Sequence, residues 1–385
     1  MTEKLHIALL FGGNSSEHDV SKRSAWNIYQ AMDKEKYDVN VFLISKAGII
    51  MNLEDSMRVF QGEDEDPIVA AAMEKIDMTN PLAPIANLGE MDQIDLFYPV
   101  VHGNLGEDGT LQSLFRLLQK PYIGPGTAAS AMSFDKDLTK RILNQAGIRN
   151  TKYVLLTDQT KDDYTYEELV EKLGTSTLFV KAAKQGSSVG IHRVKNAEEY
   201  EAGLKDALQY DYKVLVEAGL KSPREVFISI LGNENPRASR IGGIILPDAG
   251  EDVWYDYNNK FVDASGMTFE LPATLDDDLA AEITEMALAT YKALGLVGLT
   301  RMDFMVDEDG VPYLGEPNTL PGFTNISLYP QMWEVSGLSY SALIDEIIAY
   351  GLAEFDRNAK LSYDFISLGE EKVGKKNINA ERAVD

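Results

Sequence analysis

The chain has 385 residues and an ordinary apolar fraction, enough for two or three domains with sizeable cores. A net charge of −25 makes nucleic acid a poor partner, because the phosphate attraction that dominates such binding would be reversed. There is no cysteine, which excludes disulfides, thiolate catalysis and thiolate metal sites. No apolar run is long enough to cross a bilayer and no signal peptide follows Met1, so a cytoplasmic protein without a membrane partner is expected.

Leu5–Phe11 is a short apolar run that reads as a buried strand. Gly12–Ser16 follows as a loop, and a helix is expected from near Asp19. Tyr37–Ser45 reads as a second strand. Leu53–Asn87 has no clear period and carries the acidic patch Glu63–Asp66, so it reads as helix plus loop. Asp95–Val101 is a third buried strand, ending at His102-Gly103 before a helix near Gly109. Alternating strands and helices predict a parallel α/β domain, with ligands at the carboxyl ends of its strands. Gly12–Glu17 and His102–Asp108 lie at such ends.

Pro121–Gly126 marks a joint, and Ser133–Ala146 reads as one helix. Thr165–Glu168 has the spacing of a capping box. Leu178–Ala182 is a strand leading into the Gly/Ser loop Lys184–Gly190. A helix ends near Asp206, and Tyr212–Glu217 is the next strand. Glu225–Leu231 and Ile241–Leu246 read as antiparallel strands. Trp254–Thr268 is a polar, aromatic-rich loop of lid length. Asp276–Leu294 has helical spacing, Leu338–Tyr350 is the last helix, and the charged tail from Leu368 is expected to fray.

The stretch Arg301–Asn318 carries the most chemistry. Arg301 and Asp303 are two apart, as are Glu316 and Asn318, so each pair shares one face at strand spacing. Asp309-Gly310 between them is a hairpin turn signal. Two carboxylates and an amide oxygen are hard ligands suited to Mg²⁺, which when so held usually meets substrate phosphates. An exposed acidic hairpin is the plain alternative. The Pro321-Gly322 turn that follows can aim backbone N–H groups at a developing oxyanion.

Other candidates are individually weaker. Gly186–Gly190, with Ser187 and Ser188, is loop material for cradling a phosphate, or an ordinary turn. Lys181 in a strand fits either a phosphate contact or an edge-strand guard. Glu217 at a strand end fits a surface position or one facing adenine or ribose. Glu17 and His102 end two separate strands, and Lys260 with Phe261 sits in the lid-length loop.

Together these segments resemble the D-alanine–D-alanine ligase family of the ATP-grasp superfamily. The likeness runs from Leu5 to about Ala353, through FGGNSSEHDVS, VVHGNLGEDGTLQ, SFDKDLTK, VKAAKQGSSVG, WYDYNNKF, LTRMDF and LGEPNTLPGFT. It implies an α/β fold of three parts: an N-terminal domain over 1–125, then domains over 126–224 and 225–367 that grip ATP between antiparallel sheets, with a lid at 254–268 and a polar tail at 368–385. It implies ATP contacts from Lys136, Lys181, Ser188, Glu217, Leu220 and Glu225. Mg²⁺, or Mn²⁺ in its place, would be held by Asp303, Glu316 and Asn318. Arg301 and the Gly322 N–H would stabilise the oxyanion, Glu17 and His102 would meet the first D-alanine, and Ser327 with Leu328 the second substrate. Lys260 would reach the transferred phosphate, and a homodimer is implied.

One position departs from the common pattern. Phe261 stands where D-alanine-adding members carry Tyr, whose hydroxyl meets the loop serine, here Ser187, and through it Glu17. Phe cannot make that bond. Members with Phe resemble D-alanine–D-lactate ligases, so D-lactate is the expected second substrate, D-alanine the alternative. An ester product would remove an N–H that glycopeptide antibiotics bind, and vancomycin resistance would be a consequence.

Overall fold

The computed structural model describes residues 4–245 and 268–362. Lys260, Phe261, all of the expected lid at 254–268 except Thr268, which begins a strand, and the tail from Leu368 lie outside the described residues.

β1 (Leu5–Gly12) is buried along almost its whole length, as its unbroken apolar run requires of a strand covered on both faces. It pairs in parallel with β2 (Tyr37–Ile44) on one side and β3 (Leu96–Pro99) on the other. β3 is shorter than Asp95–Val101 and stops at a proline, which has no N–H for the ladder. α1 (His18–Ala31) follows β1. The aperiodic segment after β2 resolves into α2 (Leu53–Phe60), α3 (Glu65–Met73) and a 3₁₀ stretch, Ala83–Met91. α4 (Thr110–Leu117) begins after Gly109, whose φ of 91° suits glycine.

The expected helix Ser133–Ala146 is two helices, α5 (Thr127–Phe134) and α6 (Lys136–Gln145). Asp135 between them leaves helical geometry, and its carboxylate accepts the N–H groups of Asp137 and Leu138. It is an N-cap, a role that Asp fills better than it fills a helix interior.

A second sheet has the order β4-β7-β5-β6, all antiparallel: β4 (Tyr153–Thr157), β5 (Leu178–Ala182), β6 (Ile191–Val194) and β7 (Lys213–Ala218). α7 (Tyr166–Leu173), with the expected Thr165–Glu168 capping box, and α8 (Ala197–Ala207) cover one face of it. Val154, Leu156, Leu178, Val180, Val214 and Val216 point into that core. Strand parity therefore turns Tyr153, Lys181 and Glu217 to the opposite face.

The third sheet runs β11-β10-β8-β12-β13, with β9 (Arg237–Ala238) beside β8. Its strands are β8 (Arg224–Leu231), β10 (Gly242–Ile245), β11 (Thr268–Glu270), β12 (Leu299–Val306) and β13 (Pro312–Asn318). α9 (Asp277–Ala293) packs on one face through Ile283, Ala287 and Tyr291, against Met302, Phe304 and Leu314. α10 (Leu328–Val335) and α11 (Tyr340–Ala359) return to the first sheet, where Tyr329, Trp333, Leu343 and Ile347 share a core with Ile7, Leu9 and Ile28. α11 continues to Ala359, beyond the expected Tyr350. No helix among the described residues is long and apolar enough to cross a membrane.

Candidate active site

A cavity of about 560 Å³ opens where the first and third sheets meet. Glu17, Glu107, Gly186, Ser187, Arg301, Asp303, Glu316, Asn318, Gly322, Ser327 and Leu328 all line it. Residues far apart in sequence thus converge on one cleft.

The hairpin explains how. Along β12, Met302, Phe304 and Val306 are buried, and Arg301 and Asp303 lie on the other face. β13 starts with the matching parity, Pro312 and Leu314 inward. Left unbroken, that alternation would send Glu316 and Asn318 into the core. A bulge prevents it: Asp303 pairs with Glu316, but Phe304 pairs with Leu314, leaving Gly315 as the extra residue. Beyond the bulge Glu316 and Asn318 face the cleft and Pro317 is buried. Gly315 also permits close approach, since a Cβ there would sit 3.1 Å from the Asp303 carbonyl oxygen.

Two carboxylates directly opposite each other on one face repel. The structure sets cations beside them. Arg301 donates from Nε and Nη2 to the two oxygens of Asp303, at 2.7 and 2.8 Å. Asn318 Nδ2 donates to Asp303 at 3.1 Å, and Lys136 Nζ lies 3.5 Å from Glu316.

Glu107, not singled out in the sequence, pins the turn beside the hairpin. Its carboxylate accepts from the N–H groups of Gly103 (2.9 Å), Thr319 (3.0 Å) and Leu320 (3.1 Å). Burial raises its pKa, against the pull of those N–H groups. Gly322 lies close to Ser327, whose Oγ would be 2.8 Å from a Cβ there, so a larger residue would displace the Ser327 hydroxyl. Ser327 Oγ accepts the Thr324 N–H at 2.9 Å, which seats it before α10. His102 is buried, and its Nδ1 donates to the Leu320 carbonyl at 2.7 Å. It supports the same turn and is not among the cavity-lining residues; its Nε2 has no partner among the described residues.

The Gly/Ser loop carries backbone strain. Ser187 and Ser188 both adopt left-handed φ values, 53° and 60°, ahead of Gly190 at 64°. For a non-glycine residue this costs about 1–2 kcal/mol, and such strain clusters at ligand-binding loops. The loop reaches Glu17: a Cβ on Gly186 would sit 3.9 Å from its carboxylate. Ser187 Oγ is buried without a partner among the described residues.

Lys136 donates to the Gln185 carbonyl at 2.5 Å, which joins α6 to this loop. On the open face of the second sheet Lys181 Nζ meets Glu217 at 2.9 Å. Glu217 also accepts from Thr151 at 2.9 Å and lies 3.4 Å from Lys140. Burial pushes the Glu217 carboxyl up, but the Lys140 and Lys181 ammoniums outweigh it and bring it down to about 2. Leu220 follows β7 half-buried, and Glu225 lies on β8 opposite Met305, on the cleft-side parity of that strand.

Two family models match: "D-ala D-ala ligase N-terminus" over residues 6–125 and "D-ala D-ala ligase C-terminus" over 142–349. The chain belongs to the D-alanine–D-alanine ligase family. It is 67% identical over 380 residues to the D-alanine–D-alanine ligase of Limosilactobacillus fermentum, covering 98% of this chain and 100% of that one. The D-alanine–D-alanine ligase of Limosilactobacillus reuteri is 65% identical, with 99% and 100% covered. Among solved structures, the D-alanine–D-alanine ligase of Coxiella burnetii superposes with a TM-score of 0.76 at 34% identity, over 93% of this chain and 98% of that one. The VanG D-Ala:D-Ser ligase of Enterococcus faecalis gives 0.72 at 30%, over 91% and 100%. The fold is therefore ATP-grasp, and the protein is an ATP-dependent ligase whose family uses ATP with a divalent metal.

These comparisons correct the D-lactate expectation. Relatives at 60–67% identity over nearly the whole chain are named D-alanine–D-alanine ligases. Phe261 supported D-lactate only through one missing hydroxyl, and it lies outside the described residues. The vancomycin-resistance expectation, which rested on the ester, goes with it.

Proposed function

We propose that this protein joins two D-alanine molecules at the expense of ATP. The observation that supports this most is the single cleft in which Glu17, Ser187 and Ser327 surround the Arg301–Asp303–Glu316–Asn318 face, in a chain 67% identical to a D-alanine–D-alanine ligase.

Glu17 would hold the ammonium of the first D-alanine, with His102 behind the turn on its carboxylate side. A carboxylate oxygen of that D-alanine attacks the γ-phosphorus of ATP, ADP leaves and D-alanyl phosphate forms. The amine of the second D-alanine, its carboxylate at Ser327 and Leu328, attacks the acyl carbon. The C–N bond forms, the amine loses its proton, and phosphate departs. Arg301 and the Gly322 N–H would meet the oxyanion between these events. Lys136 and Lys181 would neutralise the phosphates, with Ser188, Glu217, Leu220 and Glu225 around the nucleotide. Lys260 is proposed on the resemblance alone.

The donor set fits a hard divalent cation. Asp303 and Glu316 are cross-strand partners with Asn318 beside them, and a cation would relieve their repulsion. Mg²⁺ there, or Mn²⁺, would supply charge neutralisation for the triphosphate.

The test supplies ATP, Mg²⁺ and D-alanine labelled in its carboxylate oxygens. The expected result is D-Ala-D-Ala in equal amount to ADP, with one label carried into the released phosphate. ADP release without dipeptide, or unlabelled phosphate, would overturn the reading.

A further inference from the structure

Lys140 belongs to none of the roles above. It is one helical turn beyond Lys136 on α6, so both project from one face of the helix. Its side chain is 3% exposed, against 17% for Lys181. Four acceptors lie close to its Nζ: Thr151 Oγ1 at 2.8 Å, the Thr151 carbonyl at 3.1 Å, Glu217 at 3.4 Å and Asn150 Oδ1 at 3.5 Å. The three donors of an ammonium can serve the nearer of these. Burial lowers the Lys140 pKa, and the Glu217 charge opposes that.

Glu217 thus has two cations where one would neutralise it. The two are not equivalent. Lys140 is almost fully buried and held by its contacts to Thr151. Lys181, on the open face of the second sheet, is the more exposed of the two and has only Glu217 as a hydrogen-bond partner among the described residues. Moving Lys181 onto a phosphate, with Lys140 absent, would strand a buried carboxylate without a counter-charge, a heavy penalty. With Lys140 in place the carboxylate stays neutralised, and Lys181 is released at little cost.

We propose that Lys140 is a positioning residue for the nucleotide triphosphate: it holds the charge of Glu217 so that Lys181 can leave Glu217 for the phosphates. The proposal rests on the ATP site described above, and it concerns phosphate recognition and not adenosine recognition.

That distinction supplies the test. Affinities for AMP-PCP with Mg²⁺ and for adenosine are measured by calorimetry on the whole enzyme, Lys140→Met, Lys140→Arg and Lys140→Met/Glu217→Gln. In Lys140→Met the preference for AMP-PCP over adenosine is expected to fall about tenfold or more, because only the triphosphate requires Lys181 to move. Lys140→Arg keeps the charge and much of the preference. The double variant has no carboxylate to strand, so its preference returns towards that of the unaltered enzyme even where both affinities are weaker. If Lys140→Met does not fold, Lys140→Gln, which retains a hydrogen bond to Thr151, takes its place. A preference that stays constant while both affinities fall together would make Lys140 a structural strut and overturn the proposal. Failure of the unaltered enzyme to bind AMP-PCP would overturn the functional reading itself, and is distinct from failure of the variants to change the ratio.

Discussion

Glu65→Gln is expected to destabilise the packing of α3 on α1 by about 3 kcal/mol near neutral pH, and by progressively less in acid. Glu65 opens α3 yet is only 9% exposed. Its carboxylate meets His18 Nε2 at 2.9 Å and Lys22 Nζ at 2.7 Å. His18 Nδ1 faces the Gly13 carbonyl at 2.6 Å, so both ring nitrogens have partners. Burial pushes the Glu65 carboxyl up, but His18 and Lys22 outweigh it and bring it from 4.5 to about 2. At about 1.4 kcal/mol per pH unit, that displacement corresponds to about 3 kcal/mol. The sign follows from a folded-state pKa below the unfolded one. The stabilisation is complete above the unfolded value and is lost as pH falls through the folded value, so the window runs from about 4.5 to about 2. The assay is urea unfolding followed by tryptophan fluorescence, since Trp26 packs against Phe60 at 5.3 Å between ring centroids. The gap between parent and variant should be full near neutral pH and close across that window. A gap of the same size at both ends, or none at all, would refute the charge-pairing argument.

Three further outcomes are expected. Asp303→Asn and Glu316→Gln should each lower kcat by about 10²–10³ and raise the Mg²⁺ concentration needed for half-maximal rate; an unchanged Mg²⁺ dependence in steady-state ADP release would remove these residues from the cation site. Gly315→Val places a Cβ 3.1 Å from the Asp303 carbonyl oxygen, so it should disturb the bulge and give the same Mg²⁺ phenotype without altering a ligand; normal Mg²⁺ dependence would show that the bulge does not aim Glu316. Glu107→Ala leaves the N–H groups of Gly103, Thr319 and Leu320 without their acceptor. A stability loss of about 3 kcal/mol and a raised KM for D-alanine are expected, and wild-type values for both would count against its role in the turn.

Much of this site is legible in the sequence because local patterns coincide with tertiary ones. The Arg301/Asp303 spacing and the Asp309-Gly310 turn encode the hairpin, which pairs Arg301 with Asn318 and Asp303 with Glu316. The bulge is not read from the sequence, although Leu314 and Glu316 have the same parity but opposite polarity, a conflict that the inserted residue resolves. The Thr165–Glu168 capping box appears as its sequence indicates. What sequence reading missed depends on distant partners. Nothing near Glu107 says that its acceptors will meet a turn some two hundred residues on. Lys140 reads as an ordinary helical lysine until β7 delivers Glu217 beneath it. Asp135 reads as a helix interior until its capping bonds are seen. β4 and β6 are not read from the sequence, and their pairing with β7 and β5 defines them.

The most direct test of the central claim is a single competition. The protein is given ATP, Mg²⁺ and equal amounts of D-alanine and D-lactate, and all products are identified by mass spectrometry. The account predicts D-Ala-D-Ala as the main product, formed in step with ADP. The ester of D-alanine with D-lactate as the main product would contradict it.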